Sequence, residues 1–231
     1  MKKILAAAMA LLLLAGCGPK VEPFESAKPR EEISLPTPTV IVYPVLQAVE
    51  TEGLELDTAS RNGITISFPK DDWFYDGGLG GLLSIYGAHY TELDQMYNIN
   101  VQKLQMPNTD IDEEFLSLAL AELSTFGSYY TITDSDIYMM RDEKVILIDY
   151  KLEFSDECID LMIELGAMTE AEIDAIGGRE VLKSIPPTTQ VLMYQSTGDG
   201  VYQYTGTYYN GEQRQMILDC FTVIAATIVE E

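Results

Sequence analysis

Residues 63–73 read Gly63-Ile-Thr-Ile-Ser-Phe-Pro-Lys-Asp-Asp-Trp73. The alternation of apolar and polar residues over Ile64–Phe68 is typical of a strand with one buried face. Pro69 ends this strand, because proline has no N–H to donate to a ladder. Just before it, Asn62-Gly63 separates two alternating runs, which is a strong hairpin signal. The domain is therefore predicted to begin with an antiparallel hairpin, followed by Trp73.

Strand and helix patterns follow one another along the rest of the chain. A second strand region covers Asn98–Met106, and Asp110 with Glu113 forms the N-capping pair of a helix. Two further hairpins are predicted within residues 137–154 and 190–209. A final helix is predicted to be capped by Asn210 and Gln213. It has an apolar stripe over three turns, formed by Ile217, Cys220, Phe221, Ile224 and Ile228. These patterns predict a mixed α+β domain.

The strand that follows residue 144 has two different faces. One face is apolar throughout and consists of Ile146, Ile148, Tyr150, Leu152 and Phe154. The other face begins with Val145 and Leu147 and then becomes polar through Asp149, Lys151 and Glu153. We expect the first face to be fully covered by other elements and the second to be covered only in part.

The aliphatic strand, Pro69 and Trp73 together resemble the opening of PsbP-like domains, a family named after a subunit of the photosynthetic oxygen-evolving complex. The resemblance extends in order over residues 52–231, and only Ser155–Pro187 looks like an insertion. This segment has two short helical patterns, and Thr169 with Glu172 is predicted to cap the second. It implies an antiparallel sheet flanked by helices, an α/β/α sandwich with a helical insertion. It also implies an accessory or assembly role without catalysis, and it offers no catalytic residue to transfer.

Residues 1–16 have the pattern of a signal peptide. Lys2 and Lys3 precede an unbroken apolar run, Ile4–Ala15, which is shorter than the roughly 20 residues that a membrane-spanning helix needs. Leu14-Ala-Gly-Cys17 resembles the lipobox of bacterial lipoproteins. That resemblance implies cleavage before Cys17 and acylation of its sulfur and amine, which gives stable anchoring. We expect a lipoprotein at the extracytoplasmic face of the cell membrane; the alternative is an ordinary secretory signal with an incidental cysteine.

Residues 17–50 are predicted to form a tether between the lipidated cysteine and the domain. This segment is rich in proline, at Pro19, Pro23, Pro29, Pro36, Pro38 and Pro44. Such segments are extended and semi-rigid, with a rise of about 3 Å per residue. The apolar part Thr39–Leu46 could alternatively dock on the domain. The globular domain then covers residues 51–231 and contains the insertion at 155–187.

The charge of the chain excludes one class of partner. Its formal net charge is −23 at pH 7, from 14 basic and 37 acidic residues. Removal of Lys2 and Lys3 with the leader leaves 14 − 2 = 12 basic residues and a net charge of −25. Such a surface repels phosphate backbones and anionic headgroups, so nucleic-acid binding is not expected. It favours cationic partners or divalent ions, and it equally serves solubility.

Few residues are suited to metal or nucleophilic chemistry. Besides Cys17, Cys158 and Cys220 form either one disulfide or two small buried apolar residues. The only histidine, His89, does not supply enough ligands for a zinc site. It is better explained as a packed or surface residue than as a general base. The loop Gly77–Gly81 lacks the preceding strand and following helix of a phosphate-binding loop. We expect no cofactor, no metal and no catalytic residue.

Acidic residues cluster in three places, at Asp71-Asp72, at Asp110 with residues 112–114, and at Asp134 with Asp136. None of these clusters has the full pattern of a calcium-binding EF-hand loop. A pair of carboxylates for glycoside hydrolysis depends on a separation in three dimensions that the sequence does not contain. The hydrolase alternative therefore stays open at this point.

Tyrosines offer the most suggestive candidate surface. Tyr202, Tyr204 and Tyr208 share one face of a predicted strand, and Tyr194 is near in sequence. A tyrosine ring with its polar tip suits protein or glycan contacts, so these four residues and Trp73 form a candidate ligand or partner surface. Cross-strand packing beneath a helix produces the same pattern, and we favour that interpretation.

The sequence as a whole is most consistent with a non-enzymatic, membrane-anchored lipoprotein that binds a partner protein or a cell-envelope component. One alternative is a lipoprotein that binds a small molecule or ion for a transporter. Another is an envelope hydrolase that uses Asp/Glu pairs, which would require two facing, buried carboxyls with raised pKa values. We expect the insertion Ser155–Pro187 to carry partner specificity.

Overall fold

The computed structural model describes residues 41–77, 82–89, 96–106, 109–125, 130–164, 166 and 168–230. The predicted hairpin is present as β1 (Leu56–Arg61) and β2 (Ile64–Pro69). Asn62 and Gly63 have φ values of 54° and 74°, and a two-residue turn with both φ positive matches the twist of the flanking strands. A short strand, β10 (Val229–Glu230), pairs with β2 and completes a three-stranded antiparallel sheet.

A second, larger sheet carries most of the domain. Its seven strands are β3 (Trp73–Tyr75), β4 (Leu83–Gly87), β5 (Asn98–Lys103), β6 (Tyr130–Met140), β7 (Glu143–Leu152), β8 (Thr188–Thr197) and β9 (Gly200–Tyr208). Their order across the sheet is β3-β4-β5-β9-β8-β7-β6, and every neighbouring pair is antiparallel. The predicted fold class, an antiparallel sheet flanked by helices, is confirmed.

One face of the large sheet, which we call the α5 face, packs against α5 (Gly211–Thr227). This helix begins where the Asn210 side chain accepts a hydrogen bond from the Gln213 N–H at 2.9 Å. Of its predicted apolar stripe, Ile217, Cys220, Phe221 and Ile224 are buried, and Ile228, the C-cap, is partly buried. Ile66 and Phe68 of the small sheet join the same core. Gly206 on β9 faces the helix, where a Cβ atom would overlap the Ile217 side chain. The predicted stripe and cap of this helix are confirmed.

The opposite face, which we call the α1 face, packs against α1 (Glu113–Thr125). The N-cap of this helix is Asp112, whose Oδ1 accepts hydrogen bonds from the N–H groups of Glu114 and Phe115, both at 3.0 Å. The prediction of Asp110 as the capping residue was therefore wrong by two positions. Asp110 and Asp112 both precede the helix, and the sequence pattern could not distinguish which of them is the N-cap.

The predicted difference between the two faces of β7 is confirmed, because Ile146, Ile148 and Tyr150 are buried whereas Lys151 and Glu153 are exposed. Val145 and Leu147 belong to the large core beneath α5 and the small sheet. Ile146 and Ile148 lie on the α1 face, where buried apolar residues come from β6, β7 and β8 and from the start of β9. One strand reveals its own two faces, whereas the coverage of the whole sheet depends on the residues that the neighbouring strands place on the same face.

The predicted insertion is helical and has a small core of its own. It contains α2 (Asp156–Glu164), α3 (Glu170–Ala175) and α4 (Arg179–Lys183). Ile159, Ile173 and Leu182 are buried against one another. The predicted cap is confirmed as a reciprocal capping box between Thr169 and Glu172.

Part of the predicted tether lies against the domain. The Leu46 N–H donates to the Met139 carbonyl at 2.9 Å, and the Met139 N–H donates to the Pro44 carbonyl at 2.8 Å. The Val49 N–H donates to Thr222 Oγ1 at 3.0 Å. Residues 1–40, which contain the predicted signal peptide and Cys17, lie outside the described residues. Among the helices that are described, none combines the length and apolarity needed to cross a membrane.

Candidate functional site

The α1 face of the large sheet has a polar half beside the half that α1 covers. The register places Asn98 opposite Thr207, Asn100 opposite Thr205, and Gln102 opposite Gln203. β4 and β8 extend these rows on either side. The polar side chains of these rows, which we call the amide face, are Ser84, Asn98, Asn100, Gln102, Gln190, Gln203, Thr205 and Thr207.

Strand alternation produces this surface. In β5, Ile99 and Val101 point into the core beneath α5, so Asn98, Asn100 and Gln102 point to the opposite side. In β9, Tyr202 and Tyr204 point to the core in the same way, and the intervening residues join the amide face. The polar residues of two neighbouring strands are therefore in register across the sheet.

Hydrogen bonds between side chains connect the amide face laterally. Ser84 Oγ donates to Asn100 Oδ1 at 2.6 Å, and Asn100 Nδ2 donates to Asn98 Oδ1 at 3.2 Å. Gln102 Nε2 donates to Gln203 Oε1 at 2.5 Å, and Gln203 Nε2 donates to the Tyr194 hydroxyl at 3.4 Å. These contacts hold the amides in defined orientations.

A second part of the network lies toward β7. Gln190 Nε2 donates to Thr207 Oγ1 at 2.8 Å, and Gln190 Oε1 accepts from the Tyr150 hydroxyl at 2.6 Å. A side-chain amide has two N–H donors and an oxygen with two lone pairs. Among the hydrogen bonds described here, Asn100, Gln203 and Gln190 each use one donor and one lone pair. Each of these three amides therefore keeps one donor and one lone pair for a ligand.

An aromatic pair flanks the amide face at its β3 edge. Phe74 lies opposite Tyr86, which in turn lies opposite Asn98, so the three side chains form one row. The two ring centroids are 5.8 Å apart with an interplanar angle of 32°. Tyr86 is buried, whereas Phe74 is 37% exposed. The exposed Phe74 ring provides an apolar surface beside a row of amides.

Acidic side chains lie near this surface but not in its rows. Burial raises the pKa of Tyr86, and the charge of nearby Asp76 raises it further. Burial likewise raises the pKa of Tyr194, with a smaller contribution from Glu122 of α1. The amide rows themselves contain only uncharged side chains, although the chain has a formal net charge of −23.

The aromatic residues that the sequence nominated as a surface are largely in the core. Tyr202, Tyr204 and Trp73 are buried in the cluster beneath α5, where Trp73 meets Tyr97 edge-on at 5.2 Å. Tyr194 is buried on the opposite face, against Phe115 of α1. These residues are thus divided between the two faces, and their arrangement is that of cross-strand packing beneath helices.

Tyr208 is the exception, because it belongs to a polar cluster at the end of the core. Its hydroxyl donates to Asp149 Oδ1 at 2.8 Å. Arg214 of α5 binds the same carboxylate with two nitrogens, Nε to Oδ1 at 2.8 Å and Nη2 to Oδ2 at 2.6 Å. Burial and the hydrogen bond to Asp149 raise the pKa of Tyr208 to about 12. Asp149 is 6% exposed, and this paired geometry explains how its charge is accommodated.

The other predicted groups are dispersed over the domain. His89 is exposed, with Nε2 3.3 Å from Asp72 Oδ1. Asp134 and Asp136 are exposed on β6. Cys158 and Cys220 are free and buried. Within the described ranges, no group of three or more His, Cys, Asp and Glu side chains is placed to hold a metal ion. Of the glycine-rich loop, residues 78–81 lie outside those ranges.

The amide face was not among the surfaces predicted from the sequence. A signal was present, because Asn98-Ile-Asn-Val-Gln102 and Gln203-Tyr-Thr-Gly-Thr207 both alternate uncharged polar residues with core residues. Each run by itself reads as an ordinary half-buried strand. Only the pairing of β5 with β9 reveals that the two polar sets are adjacent.

Comparisons with known proteins concern the fold. No protein-family model and no curated protein sequence matches this chain. The solution structure of cyanobacterial PsbP (CyanoP) from Synechocystis sp. PCC 6803 is similar, with a TM-score of 0.38 and 10% identity over 80% of this chain and 99% of that chain. The 1.9 Å crystal structure of the Saccharomyces cerevisiae Ran-binding protein Mog1p has a TM-score of 0.42 and 6% identity, over 77% of this chain and 96% of that chain. Neither similarity transfers a functional residue to this chain.

Proposed function

We propose that this chain is a lipid-anchored, extracytoplasmic protein that binds a component of the cell envelope and catalyses no reaction. The observation that carries this proposal is the amide face, a partly exposed set of uncharged amide and hydroxyl groups in register across β4, β5, β9 and β8. The anchor is Cys17, and the acidic charge of the chain argues against nucleic acid as the partner.

The lateral hydrogen bonds favour a binding role for this face. Ordering a rotamer-rich side chain on association costs about 0.5–1.5 kcal/mol. Gln203 and Asn100 are already held by their neighbours, so a ligand would meet donors and acceptors that are largely pre-oriented. A rigid strand also positions such groups better than a loop does.

The hydrolase alternative would need two facing, buried carboxyls. Among the described residues, Asp149 is the only buried carboxyl, and its oxygens are engaged by Arg214 and Tyr208. A catalytic acid or base needs an oxygen within reach of a substrate. This arrangement therefore supports a structural role for Asp149 and favours the binding proposal.

In-cell crosslinking of the full, anchored protein tests the proposal. A photoreactive amino acid at Asn100, within the amide face, should produce crosslinks to a defined envelope component. The matched control places the same amino acid at Gln215, which is exposed on α5. Identical products from both positions, or products from neither, would contradict the proposed binding face.

The anchor is tested in the same cells. Replacing Cys17 with alanine should release the protein from the membrane fraction, because the acyl chains provide the stable attachment. Mass spectrometry of the wild-type protein should find a new N-terminus at Cys17 with acyl groups. An unmodified Cys17 thiol in the membrane fraction would contradict this part of the proposal.

A further inference from the structure

We propose that the ligand of the amide face is an uncharged carbohydrate chain. This inference rests on the proposed function and adds the chemical class of the ligand. It is carried by three features of the described residues: the balance of donors and acceptors, the absence of charge from the amide rows, and the exposed ring at their edge.

The hydrogen-bonding groups match hydroxyl groups. A sugar hydroxyl both donates and accepts, and a side-chain amide does the same through its N–H groups and its oxygen. Asn100, Gln203 and Gln190 each keep one donor and one lone pair beyond the contacts described above. An anionic ligand would select cationic groups, and a cationic ligand would select carboxylates, but neither occurs in these rows.

The extent of the face fits a chain rather than a small molecule. The rows cross β4, β5, β9 and β8, so three strand spacings of about 4.8 Å give a width of about 14 Å. Along the strands, Asn98, Asn100 and Gln102 project at every second residue, which repeats the same chemistry at about 6.7 Å. A repeated array of similar groups suits a polymer of similar units.

The aromatic edge supplies the second element of sugar recognition. A pyranose ring has apolar C–H faces, and the exposed face of an aromatic ring is a suitable surface for them. Phe74 is 37% exposed and lies in one row with Tyr86 and Asn98. A sugar on Phe74 would thus be next to the first amides, where its hydroxyls find partners.

Protein partners fit this surface less well. An extended peptide adds to the edge of a sheet through main-chain hydrogen bonds, whereas the amide face lies at the centre of the sheet. Strongly bound protein partners tend to bury aromatic or arginine anchors in an apolar centre. Here the centre, around Asn100 and Thr205, is polar.

Isothermal titration calorimetry tests the proposal on the full-length protein, purified in detergent. The probes are chitotetraose, cellotetraose and maltotetraose, with tetragalacturonate and tetralysine as charged comparisons. We expect binding of at least one uncharged tetrasaccharide and tighter binding of it than of either charged probe. No binding of any uncharged tetrasaccharide, or preferential binding of a charged probe, would overturn the proposal.

Variants locate the binding to this face. Gln203→Ala and Phe74→Ala should each weaken the affinity by about two- to tenfold, because the first removes a hydrogen bond and the second a stacking contact. Gln215→Ala, the same residue type exposed on α5, should leave the affinity unchanged. Thermal unfolding of each variant checks that the fold is retained. Unchanged affinity in both Gln203→Ala and Phe74→Ala would overturn the proposal, because the sugar would then bind elsewhere.

The two proposals fail in different ways. If crosslinks from Asn100 identify a protein and no tetrasaccharide binds, the carbohydrate inference is wrong and the binding function stands. If position-specific crosslinks are also missing, both proposals are wrong.

Discussion

The close approach of α5 to β9 predicts that Gly206→Ala destabilises the domain. A Cβ atom at this position would overlap the Cγ2 methyl of Ile217 and would lie 3.2 Å from its Cδ1 and 3.3 Å from Phe221 Cζ. Carbon atoms prefer separations of about 3.5–4.0 Å. Both neighbours are fully buried, so they have little room to move away.

The magnitude follows from two opposing effects. Overpacking a well-filled core costs about 1–3 kcal/mol. Replacing glycine with alanine also restricts the unfolded chain, which stabilises the protein by about 0.4–1 kcal/mol. We therefore expect Gly206→Ala to lower the free energy of unfolding by about 1–2 kcal/mol. At about 2–4 °C per kcal/mol for a domain of this size, Tm should fall by about 2–8 °C.

Urea unfolding followed by circular dichroism measures this effect. The matched control is Gly211→Ala at the start of α5, where an added Cβ meets no atom within 4 Å. This control should be neutral or stabilise the domain by up to about 1 kcal/mol. The urea midpoint of Gly206→Ala should decrease without a change in the slope of the transition.

A double-mutant cycle isolates the cause. Ile217→Ala removes the methyl groups that the new Cβ would overlap, at its own cost of about 2–5 kcal/mol. In that background, Gly206→Ala should be neutral or stabilising because the added methyl fills part of the cavity. Equal losses in both backgrounds, additive to within about 0.5 kcal/mol, would refute the overlap as the reason for the destabilisation.

Two further predictions concern the ionisable groups of the core. Arg214→Met should destabilise the domain by about 2–3 kcal/mol, less than the roughly 3–5 kcal/mol of a fully buried pair, because the Arg214 side chain is 31% exposed. Adding Asp149→Asn to this variant should recover most of the lost free energy of unfolding, measured by urea unfolding. Equal losses in the single and double variants would contradict the uncompensated charge of Asp149 as the cause. The raised pKa of Tyr208, about 12 against about 10 when unfolded, means that folding favours the neutral phenol. Its contribution to stability is present below pH 10 and is lost between about pH 10 and 12, at up to about 1.4 kcal/mol per pH unit. Tyr208→Phe should reduce this decrease in the free energy of unfolding with pH. An unchanged decrease would contradict the raised pKa of Tyr208.

Local sequence patterns were reliable where short-range physics dominates. Asn62-Gly63 specifies a turn with two positive φ values, and the observed values of 54° and 74° follow from residues that tolerate this conformation. The capping box of Thr169 with Glu172 involves groups three residues apart. The apolar stripe of α5 likewise predicted this helix, although Leu218, Thr222 and Val223 outside the stripe are buried as well.

Patterns failed where the outcome depends on a neighbouring element. Asp110 and Asp112 both precede α1, and only the helix geometry selects Asp112 as the cap. The residues of β7 predicted the burial of that strand's own two faces, but they do not reveal the polar residues that β5 and β9 place on the same side of the sheet. The buried tyrosines were correctly favoured as packing residues, but their division between two faces required the register of β8 with β9.

The sequence by itself determined the acidic charge, the hairpins, the helical character of residues 155–187 and the α+β class, because composition and short-range periodicity encode these properties directly. It also contains Leu14-Ala-Gly-Cys17, whose resemblance to a lipobox is the basis for the proposed anchoring at Cys17. Only the tertiary structure decided that Gln102 and Gln203, 101 residues apart, share one surface. Strand pairing is a long-range event. Because side chains alternate between the two faces of a sheet with a period of two residues, the register of the pairing places two separate polar runs on one face.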